Sequence, residues 1–170
     1  MIATGARVAQ YALLGTASLT CHFSSRVVCR HVYDHDFPDI VELSAESWDN
    51  IIDNDDHVWV VKFYSKLCSS CQAFKPAFEA ASAQVDGLHW AALSIDEIEN
   101  LKFAKAFGIL NEGIPNVKLL NAADSPLPIV SGETPEASEV VAKLKETLQS
   151  AGATRDAAGY YSRVRGRSEL

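Results

Sequence analysis

Acidic residues are missing from positions 1–33, and lysine and arginine from positions 34–58. No apolar run reaches the roughly 20 residues that a bilayer-spanning helix needs. The nearest candidate, residues 8–19 (VAQYALLGTASL), is too short and too interrupted. Cysteine is scarce. Four in 170 residues, Cys21, Cys29, Cys68 and Cys71, are too few for a disulfide-built scaffold. A surplus of positive charge is also lacking; the net charge of −7 argues against a nucleic-acid role for the domain as a whole. There is no internal repeat and no low-complexity segment. What remains is a chain that is 48% hydrophobic, enough for one ordinary core with an extension at each end.

The charge pattern divides the chain into an N-terminal extension (1–36), a domain (37–151) and a basic C-terminal tail (152–170). The first segment joins Arg7, a short apolar stretch and the small triplet Gly15-Thr16-Ala17, as a cleavable secretory signal does. It also carries Arg7, Arg26, Arg30 and six Ser or Thr without an acid, as an organellar transit peptide does. Both readings stand. The tail places Tyr160-Tyr161 ahead of Arg163, Arg165 and Arg167 without a core pattern, and reads as a solvated extension. Its last four residues, Arg-Ser-Glu-Leu, are similar to an endoplasmic reticulum retrieval signal, with Ser where Asp is usual. The expected compartment is the endoplasmic reticulum or secretory pathway, with a mitochondrion or other organelle as the alternative.

Hydrophobic periodicity predicts strands over 39–43, 57–64, 88–94, 116–120 and 127–130. The run HVWVVKFY (57–64) suits a central strand covered on both faces. Pro126 and Pro128 send the last strand to a sheet edge, because proline cannot donate to a ladder. Helices are predicted over 45–54 behind a Ser44 cap, from about 70 to 85 with a kink at Pro76, over 98–107 up to Gly108, and over 135–150. Along the third of these, Ile98, Leu101, Phe103 or Ala104, and Phe107 form the inward stripe. Strands alternating with helices, then two adjacent strands, imply a mixed sheet with helices on both faces.

Cys68 and Cys71 lie in FYSKLCSSCQAFKP, where the central strand passes into a helix. A Cys-x-x-Cys pair alone is a weak signal, but this position puts Cys68 at a helix N-terminus. Unpaired amides and the helix dipole stabilise a thiolate there and can lower its pKa from about 8.5 to ~3.5–7.5. Cys71, one turn on, can resolve a mixed disulfide formed at Cys68. A zinc site would need two more ligands. Cys21 and Cys29 are spaced by eight, and His57 and His89 have no ligand-like spacing, so no metal is expected. Two inert thiols are the remaining reading.

Together these pieces resemble the thioredoxin superfamily, and most of all the catalytic domain of protein disulfide isomerases. They are VELSAESWDNII (41–52), VWVVKFYS (58–65), the cysteine pair, Pro76 and GIPNVKLL (113–120). The resemblance implies a thioredoxin fold of the α/β class and a thiol–disulfide oxidoreductase that needs no cofactor. Its partners would be cysteine-containing polypeptides, and the terminal extensions could dock a larger assembly. It implies Cys68 as nucleophile and Cys71 as resolving thiol, with Leu67, Ile114 and a cis Pro115 against the substrate.

Several positions depart from the family pattern. Leu67 stands where tryptophan is usual, and Ser69-Ser70 replaces Gly-Pro or Gly-His. Lys62 occupies the inward position of a buried carboxylate that takes a proton from the second cysteine. Gly132-Glu133-Thr134 stands where an arginine is expected. Ser69 and Ser70 could donate to the Cys68 thiolate or cap the helix. A charged Lys62 would favour a nearby thiolate, a neutral one could act as base, and one that snorkels to solvent would do nothing; the last is slightly preferred. These departures support an alternative function as a non-catalytic thioredoxin-fold subunit or binding module.

Overall fold

The computed structural model describes residues 40–163. The N-terminal segment with Cys21 and Cys29, and the terminal Arg-Ser-Glu-Leu, lie outside the described residues.

The run WVVKFY forms β2 (Trp59–Tyr64), the centre of a five-stranded sheet. It pairs in parallel with β3 (His89–Ser94), which pairs in parallel with β1 (Ile40–Leu43). On its other side β2 runs antiparallel to β4 (Asn116–Leu120), and β4 antiparallel to β5 (Leu127–Ser131). Strand β5 is an edge strand, and Pro128 falls beside a register irregularity at Val117/Lys118.

Period-two alternation splits β2 between two cores. Val58 and Val60 pack with Phe74, Phe78 and Ala81 of α1 (Ser69–Ser82) and with Val140, Val141, Leu144 and Leu148 of α4 (Ala137–Ser150). Trp59, Val61 and Phe63 face Trp48, Ile52, Ala104 and Ile109 on the opposite side. That layer is built from a π-helical turn (Asp49–Asp53), α2 (Leu101–Ala106) and α3 (Ile109–Glu112). Helix α1 continues through Pro76. Helix α4 starts after Pro135, closed by a capping box between Glu136 and Glu139.

Three expectations are corrected. The helix predicted over 45–54 is reduced to Asp49–Asp53. Ser44 does cap the segment: its Oγ accepts the Ser47 amide at 3.3 Å, Ser47 Oγ accepts the Ser44 amide at 2.9 Å, and Trp48 N–H donates to Ser44 O at 3.1 Å before the winding widens to π geometry at Asp49.

The helix predicted over 98–107 has a different inward face. The buried Asn100 amide donates to Ser94 O at 2.8 Å and accepts from the Ala45 amide at 2.8 Å. This anchor turns Ile98 outward, 75% exposed, and leaves Ala104 inside.

Finally, the expected tail does not begin at Gly152. Strands β6 (Thr154–Arg155) and β7 (Tyr161–Ser162) form a ribbon tied to the domain. Val58 N–H donates to Tyr161 O at 2.8 Å, and Tyr161 N–H to Gly87 O at 2.7 Å. Gly87 has φ +79°, and a Cβ there would come within 2.4 Å of Gly159 O.

Candidate functional site

Strand β2 delivers its C-terminal end to a loop that must turn at once into α1. Asp96 fixes this loop, accepting from Ser65 Oγ at 2.6 Å and the Lys66 amide at 2.8 Å. Gln72 Nε2 donates to Lys66 O at 2.8 Å and ties loop to helix. Neither residue was singled out by sequence reasoning, because each acts across the turn.

Cys68 is the N-cap of α1, with extended backbone, and its sulfur accepts the Cys71 N–H at 3.1 Å. Ser70 Oγ lies 3.1 Å from the same sulfur. Both thiols are free; Cys68 is half-buried and Cys71 buried. Burial alone would raise the Cys68 thiol. Hydrogen bonds from the Cys71 thiol, the Ser70 hydroxyl and the Cys71 and Ser70 amides outweigh it and hold the pKa below the ordinary value. Burial pushes Cys71 up to about 11, helped by its hydrogen bond to Cys68. The two sulfurs therefore differ in the way an attacking and a resolving thiol would.

Ile114 O faces the pair, 3.9 Å from Cys68 Sγ and 3.5 Å from Ser70 Oγ. The Ile114–Pro115 peptide is cis, and Pro115 is buried. Glu112 holds the segment in place. It accepts from Lys118 Nζ at 2.7 and 2.6 Å, Asn116 Nδ2 at 3.0 Å and Ser131 Oγ at 3.0 Å. These donors, Lys118 first, lower its pKa. Gly132 N–H donates to Pro115 O at 2.9 Å, so the loop that lacks arginine still supports the proline. Leu67, 92% exposed, projects beside the cysteines, and Ser69 is exposed in the first turn of α1.

Lys62 does not snorkel. It is 7% exposed, with Nζ 4.6 Å from the Phe78 ring centroid and 5.3 Å from that of Tyr64. Its even-numbered place on β2 points it under α1, against the Phe78 ring. Burial lowers its pKa, while the charges of Glu79 and Glu42 oppose that, as does Cys71 more weakly. Glu42 and Lys62 both pair with Ala92 in register, so they flank it on one face of the sheet. Glu42 Oε1 accepts from Tyr64 OH at 2.8 Å, and its other oxygen is buried with no hydrogen-bond partner among the described residues. Burial raises its pKa. A carboxylate is thus present in this row, on β1, where sequence reasoning did not look.

A mixed parallel–antiparallel sheet, with a dithiol at the first turn of the helix that follows its central strand, defines the class of small redox-type α/β domains. The chain belongs to the thioredoxin family, whose profile matches residues 39–146. It is similar to human protein disulfide-isomerase A6, 31% identical over 100 residues that span 56% of this chain and 22% of that protein. Similarity to the yeast protein disulfide-isomerase MPD1 is 29% over 94 residues, 55% of this chain and 29% of that one. The chain thus spans less than a third of either relative. Among solved structures, the J-Trx1 fragment of ERdj5 superposes with a TM-score of 0.55 at 22% identity, over 67% of this chain and 54% of that one. Thioredoxin f from spinach chloroplast gives 0.52 at 24%, over 66% and 86%. Both show the fold.

Proposed function

We propose that this chain is a thiol–disulfide oxidoreductase of the protein disulfide isomerase type, acting on cysteine-containing polypeptides. The observation that carries this is the asymmetry of the pair. Cys68 is partly exposed and its hydrogen bonds lower its pKa; Cys71 is buried beside it and its pKa is raised to about 11. In the reductive direction Cys68 Sγ attacks one sulfur of a substrate disulfide, forming a mixed disulfide and releasing the other as thiolate. Cys71 then loses its proton to the departing sulfur and attacks Cys68 Sγ. The thiolate released first takes a proton from water, the substrate leaves with two thiols, and the pair is oxidised by two electrons. The oxidative direction is the reverse.

Ile114 and Pro115 would present backbone to an extended substrate, and Leu67 would give it an apolar contact. The buried Lys62 favours the Cys71 thiolate during resolution. No cofactor enters this cycle. A secretory compartment, the endoplasmic reticulum first, suits such chemistry and is tested by imaging a tagged full chain.

The reading is tested by mixed-disulfide trapping with Cys71→Ala. Polypeptides should accumulate on Cys68; an accessible Cys68 that traps none would overturn it. The second reading, a non-catalytic thioredoxin-fold subunit, is favoured by Lys62 in place of a carboxylate. It predicts background insulin reduction and a potential below about −300 mV.

A further inference from the structure

At the end of the sheet remote from the cysteines, residues from three segments distant in sequence meet: Asp55 and His57, His89, and Asp156. Parallel pairing sets Trp59 beside His89, and His57 lies two residues before Trp59. One donor atom from each of Asp55, His57 and His89 lies within 4.8 Å of the others. We propose that Asp55, His57 and His89 form a binding site for a divalent transition-metal ion of the zinc type.

The chemistry of the donors selects the ion. Two imidazoles with one carboxylate suit zinc, copper or nickel and are poor ligands for magnesium or calcium, which prefer all-oxygen shells. In a tetrahedral site, bonds of about 2.0–2.2 Å put donors roughly 3.3 Å apart. From donors that all lie within 4.8 Å of one another, closures of at most about 1.5 Å reach this, with an open position left for water.

The stronger argument is what holds each ligand from behind. His57 Nδ1 faces Asp55 Oδ1 at 2.7 Å, while its Nε2 faces Asp156 Oδ2 at 3.1 Å. With Nδ1 on a metal, Nε2–H donates to Asp156, the outer carboxylate that metal-bound histidines usually have. Asp55 keeps Oδ2 on Trp59 Nε1 at 2.9 Å, and Oδ1, which accepts the His57 backbone N–H at 3.1 Å, has a second lone pair for the ion. The His89 ring is stacked between Trp59, at 4.7 Å, and Tyr160, at 4.6 Å and 6° from parallel. The ring is oriented without a hydrogen bond to its nitrogens from any described residue. Metal entry exchanges the Nδ1 proton of His57 for the ion, with no change of oxidation state. Because Asp156 and Tyr160 come from the C-terminal ribbon, the ion would clamp that ribbon to the domain.

The test is zinc titration by calorimetry on the full chain with Cys21, Cys29, Cys68 and Cys71 each replaced by serine, which removes the cysteines as competing ligands. Variants are His89→Phe, which keeps the ring stack, and Asp55→Asn; circular dichroism of each without metal confirms the fold. One zinc per chain is expected, with affinity at least tenfold weaker in both variants and about tenfold weaker in Asp156→Asn. Amide exchange across 154–162 should slow on zinc addition in the parent chain alone. Equal zinc affinity in parent and folded His89→Phe, or no binding at 100 µM zinc, overturns the site. So does binding lost only on replacing His22, His31 and His35.

Discussion

Cys68 and Cys71 share one turn of helix yet face opposite demands, and their surroundings separate them. Hydrogen bonds to sulfur stabilise charge on Cys68, and burial denies it to Cys71. Alkylation of the reduced protein should therefore show Cys68 reacting with a midpoint below that of a free thiol, about 8.5. Cys71 should stay inert until pH approaches about 11. Mass spectrometry of the alkylated peptides reads both; equal reactivity at neutral pH would refute the asymmetry. Lys62→Met removes a positive group that favours the Cys71 thiolate. Release of a mixed disulfide from Cys68 should slow roughly three- to tenfold, about 0.7–1.4 kcal/mol, while Cys68 alkylation is unchanged. Stopped-flow measurement of resolution checks this, and an unaltered rate would return Lys62 to a packing role.

Segments flanking the site depend on single polar anchors. Glu112 gathers Lys118, Asn116 and Ser131 and so fixes the turn that ends at Pro115. Lys118 is 3% exposed, and losing its partner's charge leaves a buried cation unpaired. Glu112→Gln should cost about 1–3 kcal/mol at pH 7 in urea unfolding. Because Glu112 has a depressed folded-state pKa, its contribution is complete above its unfolded value, ~4.3. It disappears as pH falls through the folded value, so the gap between parent and variant should close in acid. A gap independent of pH would exclude the ion pair as its cause. Gly132→Ala offers a second check. It sits at φ +82°, and its Cβ would meet Glu112 O at 2.9 Å. A loss of about 1–2 kcal/mol is expected, with slower substrate turnover from the disturbed Pro115 support.

The molecule as a whole has two ends. The dithiol lies beyond the C-terminal end of β2; the ribbon and the Asp55–His57–His89 cluster lie at the other, roughly 20 Å away along a six-residue strand. Truncation after Ala151 removes the Tyr161 bonds to Val58 and Gly87 and uncovers that end of the sheet. The midpoint of thermal unfolding should fall by roughly 5–10 °C. Cys68 alkylation should keep its rate; a change there would show that the two ends are coupled.

Much of the fold was legible because its signals are local. The near-continuous apolar run over 57–64, the stripe Val140, Val141, Leu144 and Leu148, and the proline-marked edge strand need no knowledge of partners. The same holds for the dithiol, since a strand-to-helix junction and a three-residue spacing suffice to place it. Failures came where a distant group intervened. Asn100 turned the face of a helix by reaching Ala45 and Ser94, and Tyr161 stitched down a supposed tail.

Local periodicity thus carried the strands, the main helices and the two sulfurs, because backbone geometry repeats over a few residues. The Glu42–Lys62 row under Cys71, and the meeting of Asp55, His57, His89 and Asp156, followed only from strand order and register. Those depend on which segments pair across the sheet, and pairing is settled by burial of the whole core at once.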